Sequence, residues 1–319
     1  MTTRLYIDGA ISRHFSEKGK IDMEKAQIRR SYSIAGFMVL IVVAIQMVIT
    51  SLPLALFPDA NPFMLVLFPL ILCYVIVLPI LWLIVKKSEK PELMPEKHRI
   101  PPGKLAVWFL AFFGVSRLIM MITILIQGAI LGEGYMDPVT TLQLESPEMM
   151  FFTVAFVAPV AEELIYRGLL YRLLAPYGGK FFILVSSLLF ALFHMNITQI
   201  PFAFVLGLFF GYIMYRTGNV LIPMLMHFIT NLISGVGMLF MGSETGMQVV
   251  SFGVFGIVIV GMVFFIVLIA KKRVKQDIVF EPATLASAEA REAFVNPGIM
   301  LSAIVMIILT AVGLANMLS

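Results

Sequence analysis

Residues 149–174 read MMFFTVAFVAPVAEELIYRGLLYRLL. At about 1.5 Å per residue, a helix of this length can cross a bilayer. The run is apolar except around Ala161-Glu162-Glu163-Leu164-Ile165-Tyr166-Arg167-Gly168, which sets two carboxylates and a guanidinium inside it. An ionised side chain at mid-bilayer depth costs roughly 2.5–3.5 kcal/mol on insertion scales, so such residues persist where they have a task. Two expectations follow from this one stretch: a membrane-spanning helix, and a polar site built within the membrane.

The rest of the chain agrees with the first expectation. Of its 319 residues, 60% are hydrophobic and 13% are charged, where soluble domains carry about a quarter charged. This excludes an ordinary cytosolic enzyme, a disordered chain and a nucleic-acid binder. Further apolar runs cover 34–57, 62–85, 105–131, 181–197, 200–215, 219–240, 249–270 and 298–318. The expected fold class is an all-α, polytopic transmembrane bundle of about nine segments. The runs at 181–197 and 200–215 are short and are expected to cross poorly or to form a re-entrant pair. No cleavable signal is expected, because the first run lies behind a long polar stretch and is too long for a signal core. The one cysteine, Cys73, lies in an apolar run, which leaves no intramolecular disulfide and no Cys-based zinc knuckle. Gly207 and Gly211 form a G-x-x-x-G pair suited to close helix packing.

Net charge is +4, and its placement matters more than its size. Cations cluster in the N-terminal arm (Arg4, Arg13, Lys18, Lys20, Lys25, Arg29, Arg30), in 86–104, and after the eighth run at Lys271, Lys272, Arg273 and Lys275. Shorter turns on the same side hold Arg172, Lys180 and Arg216. The alternate connections 58–61, 132–148 and 241–248 contain no Lys or Arg but hold Asp59, Glu133, Asp137, Glu145, Glu148 and Glu244. The positive-inside rule then puts the N-terminus in the cytoplasm and the C-terminus outside. Trp82 and Trp108 flank the 86–104 connection as interfacial anchors would, or as plain lipid-facing bulk. The expected division is a cytoplasmic arm (1–33), a first group of spans (34–148), a central group that holds the intramembrane polar residues (149–240) and C-terminal spans (241–319) with a cytoplasmic loop at 271–297.

Glu163 and Arg167 are four apart and share a helix face, a pair expected to fix the helix and set local charge. Glu162 lies about 100° round the helix, where Arg167 does not neutralise it. Among the four histidines, His14 and His98 lie in polar stretches and are expected to be solvated. His194 and His227 lie inside apolar runs. Phe190 sits one turn before His194 and is placed to fix the approach of its ring. His227 and Asn231 are again four apart, so an imidazole and an amide project from one face. Two donors converging on one point suit the stabilisation of an oxyanion.

The set points to hydrolysis. Glu162, aided by His194, would hold and deprotonate a water that attacks a peptide carbonyl, with His227 and Asn231 steadying the tetrahedral oxyanion. No covalent nucleophile is singled out among Ser186, Ser187, Thr230 and Ser234. A zinc site from Glu162, His194 and His227 stays open chemically, but no H-E-x-x-H pair is present, and these residues rank it below the metal-free reading. A transporter fits the intramembrane charge, but there is no internal repeat.

E-E-x-x-x-R (Glu162, Glu163, Arg167), F-x-x-x-H (Phe190, His194) and H-x-x-x-N (His227, Asn231), in that order on successive apolar runs, resemble the CAAX protease and bacteriocin-processing family. This family, also called Abi, includes the type II CAAX prenyl endopeptidases. Thr217-Gly218-Asn219 looks like the family's run-up to the last motif. The resemblance covers about residues 149–240. It implies a glutamate-dependent intramembrane endopeptidase with Glu162 as base and His194 its partner at the water. His227 and Asn231 would form the oxyanion site, and no metal cofactor is implied. It further implies a multi-pass protein of the cell membrane. Its partners would be the bilayer and membrane-embedded or membrane-anchored peptides or proteins, lipidated ones among them, and no nucleic acid. A non-catalytic scaffold or a bacteriocin self-immunity protein of the same fold is the other reading open at this point.

Overall fold

The computed structural model describes residues 2–57, 60, 61, 65, 67–88, 94–131, 147–240, 242–272 and 290–318. Among them every regular element is helical: α1 (Thr2–Leu56), α2 (Phe68–Lys87), α3 (Pro102–Leu131), α4 (Pro147–Tyr177), α5 (Gly179–Phe193), α6 (Gln199–Thr217), α7 (Leu221–Gly235), α8 (Glu244–Ala270), α9 (Ala290–Phe294) and α10 (Pro297–Leu318). In hydrocarbon no water serves the backbone, so each segment must close its own hydrogen bonds, and the helix does this. Proline opens α3, α4 and α10, where its missing N–H is no loss. Gly218 stops α6 with φ 59°, in the left-handed region that a residue with a Cβ rarely enters. Asn219 then accepts from the Leu221 N–H at 3.1 Å and starts α7.

Among the described residues, eight helices are long and apolar enough to span a membrane: Met23–Pro53, Phe68–Lys87, Pro102–Ile130, Pro147–Tyr177, Gln199–Thr217, Leu221–Phe240, Glu244–Ala270 and Pro297–Ala315. The protein is a multi-pass membrane bundle, as expected. The two short runs behave differently from each other. Gln199–Thr217 reaches 19 residues and joins the spans, whereas Gly179–Phe193 stops at 15 residues. The expected outer connection is outside the described residues at 132–146, as are residues 273–289 of the 271–297 loop and the side chain of His14. His98 is half-buried, and its backbone N–H donates to the Arg216 carbonyl at 2.7 Å, so it is not simply a solvated residue.

Small residues set the close crossings. A Cβ at Gly207 would stand 3.0 Å from the Ser187 Cβ, which brings α5 and α6 nearly to backbone contact; Gly211 meets Ile183 one turn on. Gly114 and Gly261 do the same for α3 against α8. The two tryptophans part company. Trp82 is exposed with Lys86 Nζ 4.9 Å above its ring, whereas Trp108 is 5% exposed and stacks on Tyr212 at 5.5 Å. Trp108 is therefore core, and the symmetric anchor pair is not formed.

Candidate active site

α4 is not one regular helix. It begins α-helical and closes on a 3-10 turn at Ala175–Tyr177, and π-helical turns at Thr153–Val157 and Leu164–Leu169 bracket the short α segment Ala158–Glu163 that carries both carboxylates. Such turns cluster at functional sites. The first has a local cause. The Ala158 N–H reaches back five residues to the Thr153 carbonyl. The next carbonyl, Val154, would look to residue 159, which is proline and has no N–H. Asn231 fills the gap from α7, its Nδ2 donating to the Val154 carbonyl at 2.8 Å.

Glu163 and Arg167 meet at 3.0 Å with both side chains fully buried. Arg167 also donates to the Gly207 carbonyl at 3.2 Å and lies 4.4 Å from the Phe190 ring centre. A Cβ at Gly207 would come within 3.3 Å of that guanidinium, so the glycine makes room for this bond. Across the site, His227 Nδ1 is 2.9 Å from the same carboxylate oxygen, Glu163 Oε1. An ionised carboxylate only accepts, so Nδ1 donates in this bond, and the tautomer that does so presents Nε2 as an acceptor. That Nε2 lies 3.8 Å from Glu162 Oε2. Phe210 stacks on the imidazole at 5.3 Å and fixes its plane. His194 Nδ1 lies 2.9 Å from the Phe190 carbonyl, which likewise leaves its Nε2 as acceptor. The Phe190 ring stands edge-on to both imidazoles, at 5.0 Å from His194 and 5.6 Å from His227.

The structure thus joins Glu163, Arg167, Phe190, His194 and His227 by direct contacts, with Glu162 beside His227 and Asn231 on the preceding π turn, but with pairings other than those expected. Glu162 and Glu163 are 7% and 0% exposed, and His227 is 4% exposed. The imidazole beside Glu162 is His227; His194 makes no hydrogen bond or ion pair with Glu162. Glu163 does more than clamp its own helix, since it holds His227 on another. Asn231 shares a face with His227, yet one of its amide hydrogens is committed to the backbone. Among the described residues no three His, Cys, Asp or Glu side chains stand as a group that could hold a metal ion, so Glu162, His194 and His227 are not a ready ligand set. The four candidate serine and threonine hydroxyls turn back onto their own helices: Ser186 and Ser187 to the Ile183 carbonyl, Thr230 to Met226, Ser234 to Thr230.

Residues outside the motifs also frame the site. An apolar groove of about 510 Å³ runs between α2 and α4, lined by Ile71, Tyr74 and Leu78 on one side and Phe156, Val160 and Ala161 on the other. Its wall at Ala161 is the residue next to Glu162. Val75 and Val160 at its rim are exposed on the apolar exterior. The sequence signal for α2 was slight: Tyr74 is one polar-tipped side chain in the run 62–85.

Residues 145–233 match the family described as type II CAAX prenyl endopeptidase Rce1-like. The chain is 29% identical over 161 residues to "Membrane-embedded CAAX protease MroQ" of Staphylococcus aureus strain USA300, covering 46% of this chain and 62% of that protein. It is 24% identical over 165 residues to "Putative membrane peptidase YdiL" of Bacillus subtilis strain 168, covering 50% of this chain and 66% of that protein. The match spans less than two thirds of either relative. No solved structure matches. The resemblance carried by the three motifs is borne out: residues 145–233 are similar to a membrane protease family.

Proposed function

We propose that this chain, with its Rce1-like segment set in a multi-pass membrane bundle, is a glutamate-dependent intramembrane endopeptidase that splits peptide bonds with an activated water. The observation that carries the proposal is the placement of His227, held through Nδ1 by Glu163 and turned through Nε2 toward Glu162 at 3.8 Å. A water touching both Glu162 Oε2 and His227 Nε2 faces two proton acceptors. Glu162 takes its proton, and the hydroxyl oxygen bonds to the scissile carbonyl carbon. Asn231 keeps one amide hydrogen beyond the one used on Val154, and this hydrogen serves the oxyanion. As the tetrahedral adduct collapses, the C–N bond breaks and the proton passes to the leaving nitrogen, by Glu162 directly or through His227. Glu163 supports the imidazolium in that transfer, as an orienting carboxylate does in other hydrolytic sites. His194 Nε2 accepts from the water or from a substrate amide. No step in this account calls for a metal ion.

The groove beside Glu162 is apolar and lies on the lipid-facing flank, which favours a membrane-embedded or lipid-anchored peptide or protein as substrate. The relatives' names, a CAAX protease and a membrane peptidase, agree with a peptide substrate. The test is a comparison of membrane peptidomes from cells carrying the wild-type chain and Glu162→Gln. Peptides left uncleaved by the variant identify the substrate. Identical peptidomes, with the phenotype intact, favour instead a scaffold or self-immunity protein of the same fold.

A further inference from the structure

Arg117 lies in α3, outside the segment that matches the protease family, and is 7% exposed. It stands fifteen residues after Pro102 and fourteen before Leu131, or about 22 Å from either helix end. Its guanidinium is sandwiched by Phe113 at 5.1 Å and Phe202 at 4.9 Å. Its only hydrogen bond among the described residues runs from Nη1 to the Met120 Sδ at 3.4 Å. Nε is buried without a partner, and Nη2 is neither bonded nor fully enclosed. A cation at mid-membrane depth with no carboxylate to meet it is costly to keep, and such a residue marks a binding function.

The position of α3 gives that function a place. Thr198 Oγ1 donates to Gln127 Oε1 at 2.9 Å, which ties α3 to the turn that follows His194. Phe202, on which Arg117 rests, lies four residues past Thr198 on α6 and five before Gly207, whose carbonyl holds Arg167. Arg117 thus packs on α6 about 7.5 Å along its axis from the Gly207 carbonyl that holds Arg167. The Nε and Nη2 donors form one edge of the guanidinium fork, the geometry that takes both oxygens of a carboxylate. Lipid phosphates lie about 15 Å from the bilayer centre, so they do not reach this depth. An anion must be carried in by a chain that enters the bundle.

We infer that Arg117 recognises a carboxylate carried by the peptide substrate, gripping it through Nε and Nη2 where α3 packs on α6. The inference rests on the peptidase reading for its meaning, but its test does not depend on catalysis. The full chain carrying Glu162→Gln, which leaves the probe uncut, is placed in phosphatidylcholine nanodiscs. Binding of a fluorescent, acylated apolar hexapeptide is followed by anisotropy, once with a free C-terminal carboxylate and once as the C-terminal carboxamide. The acid is expected to bind about tenfold tighter than the amide. Arg117→Gln should erase that preference, and Arg117→Lys should keep part of it. A parent that shows no preference for the acid overturns the inference, whether or not the Arg117 variants fold. So does a preference that survives Arg117→Gln, as it would if the arginine only packs between its two phenylalanines. A preference that appears only when phosphatidylglycerol is added assigns Arg117 to lipid phosphate and also overturns it. Failure of the peptidase reading shows elsewhere, as cleavage that persists in Glu162→Gln.

Discussion

His227 is bound to Glu163, Nδ1 to Oε1 at 2.9 Å, while its Nε2 stands 3.8 Å from Glu162 Oε2. The second carboxylate of the pair therefore has three tasks: it holds Arg167, it orients His227, and it leaves Nε2 of that ring facing Glu162. Adjacent residues on a helix point about 100° apart, so neighbouring glutamates can serve different partners without competing.

Glu163→Gln keeps an acceptor for His227 but removes the charge that matches Arg167. Breaking a buried pair in this way leaves an uncompensated cation and costs about 3–5 kcal/mol. The variant is expected to unfold at a markedly lower temperature in detergent and to cleave at least tenfold more slowly. Wild-type values for both would show that the pairing is incidental.

Asn231→Ala should expose the Val154 carbonyl to an apolar interior, at a cost of about 1–3 kcal/mol. Pro159→Ala supplies the N–H that this carbonyl lacks. The double variant should regain thermal stability over Asn231→Ala alone, while cleavage stays low if Asn231 is the oxyanion donor proposed above. If Pro159→Ala restores no stability, the account of the first π turn is wrong.

Gly207→Val places side-chain atoms where Ser187 and the Arg167 guanidinium now lie, within 3.0 and 3.3 Å of the position of a Cβ. The expected result is weaker packing of α5 on α6 and displacement of Arg167, read as a lower unfolding temperature and a cleavage loss comparable to that of Glu163→Gln. A tolerated valine would mean that the Arg167 bond to this carbonyl is dispensable.

Ser186, Ser187, Thr230 and Ser234 each spend their hydroxyl on a carbonyl of the same helix. Changing each to Ala in turn should leave the cleavage rate within about twofold, and a fluorophosphonate probe should not label the protein. Labelling that one of these variants abolishes would establish a serine or threonine nucleophile.

The fold was legible because apolar length is a strong signal, and nearly every run became a span. The run at 200–215 was read as short because Arg216 and Thr217 end its apolar pattern, although the helix continues through them to Gly218. Within the site, the pairs four residues apart were visible because a helix brings its own neighbours together. Bonds between helices were not. Nothing in the spacing of Glu163 and His227, 64 residues apart, distinguishes this partnership from one between Glu162 and His194. The commitment of Asn231 to Val154 depends on a missing proline N–H on another helix. Trp108 was misplaced because flanking a charged connection looks the same for an interfacial ring as for one that turns inward onto Tyr212. Arg117 carried a usable signal, a lone cation deep in 105–131, but it was absorbed into the count of an apolar run.

The central claim is that the Glu162 carboxylate activates the attacking water. Its most direct measurement uses a peptide identified from the membrane comparison, with wild-type chain and Glu162→Gln purified into nanodiscs and shown to unfold at similar temperatures. Cleavage by the variant should fall by a hundredfold or more, the order expected for loss of a general base. Cleavage at the wild-type rate would contradict the account.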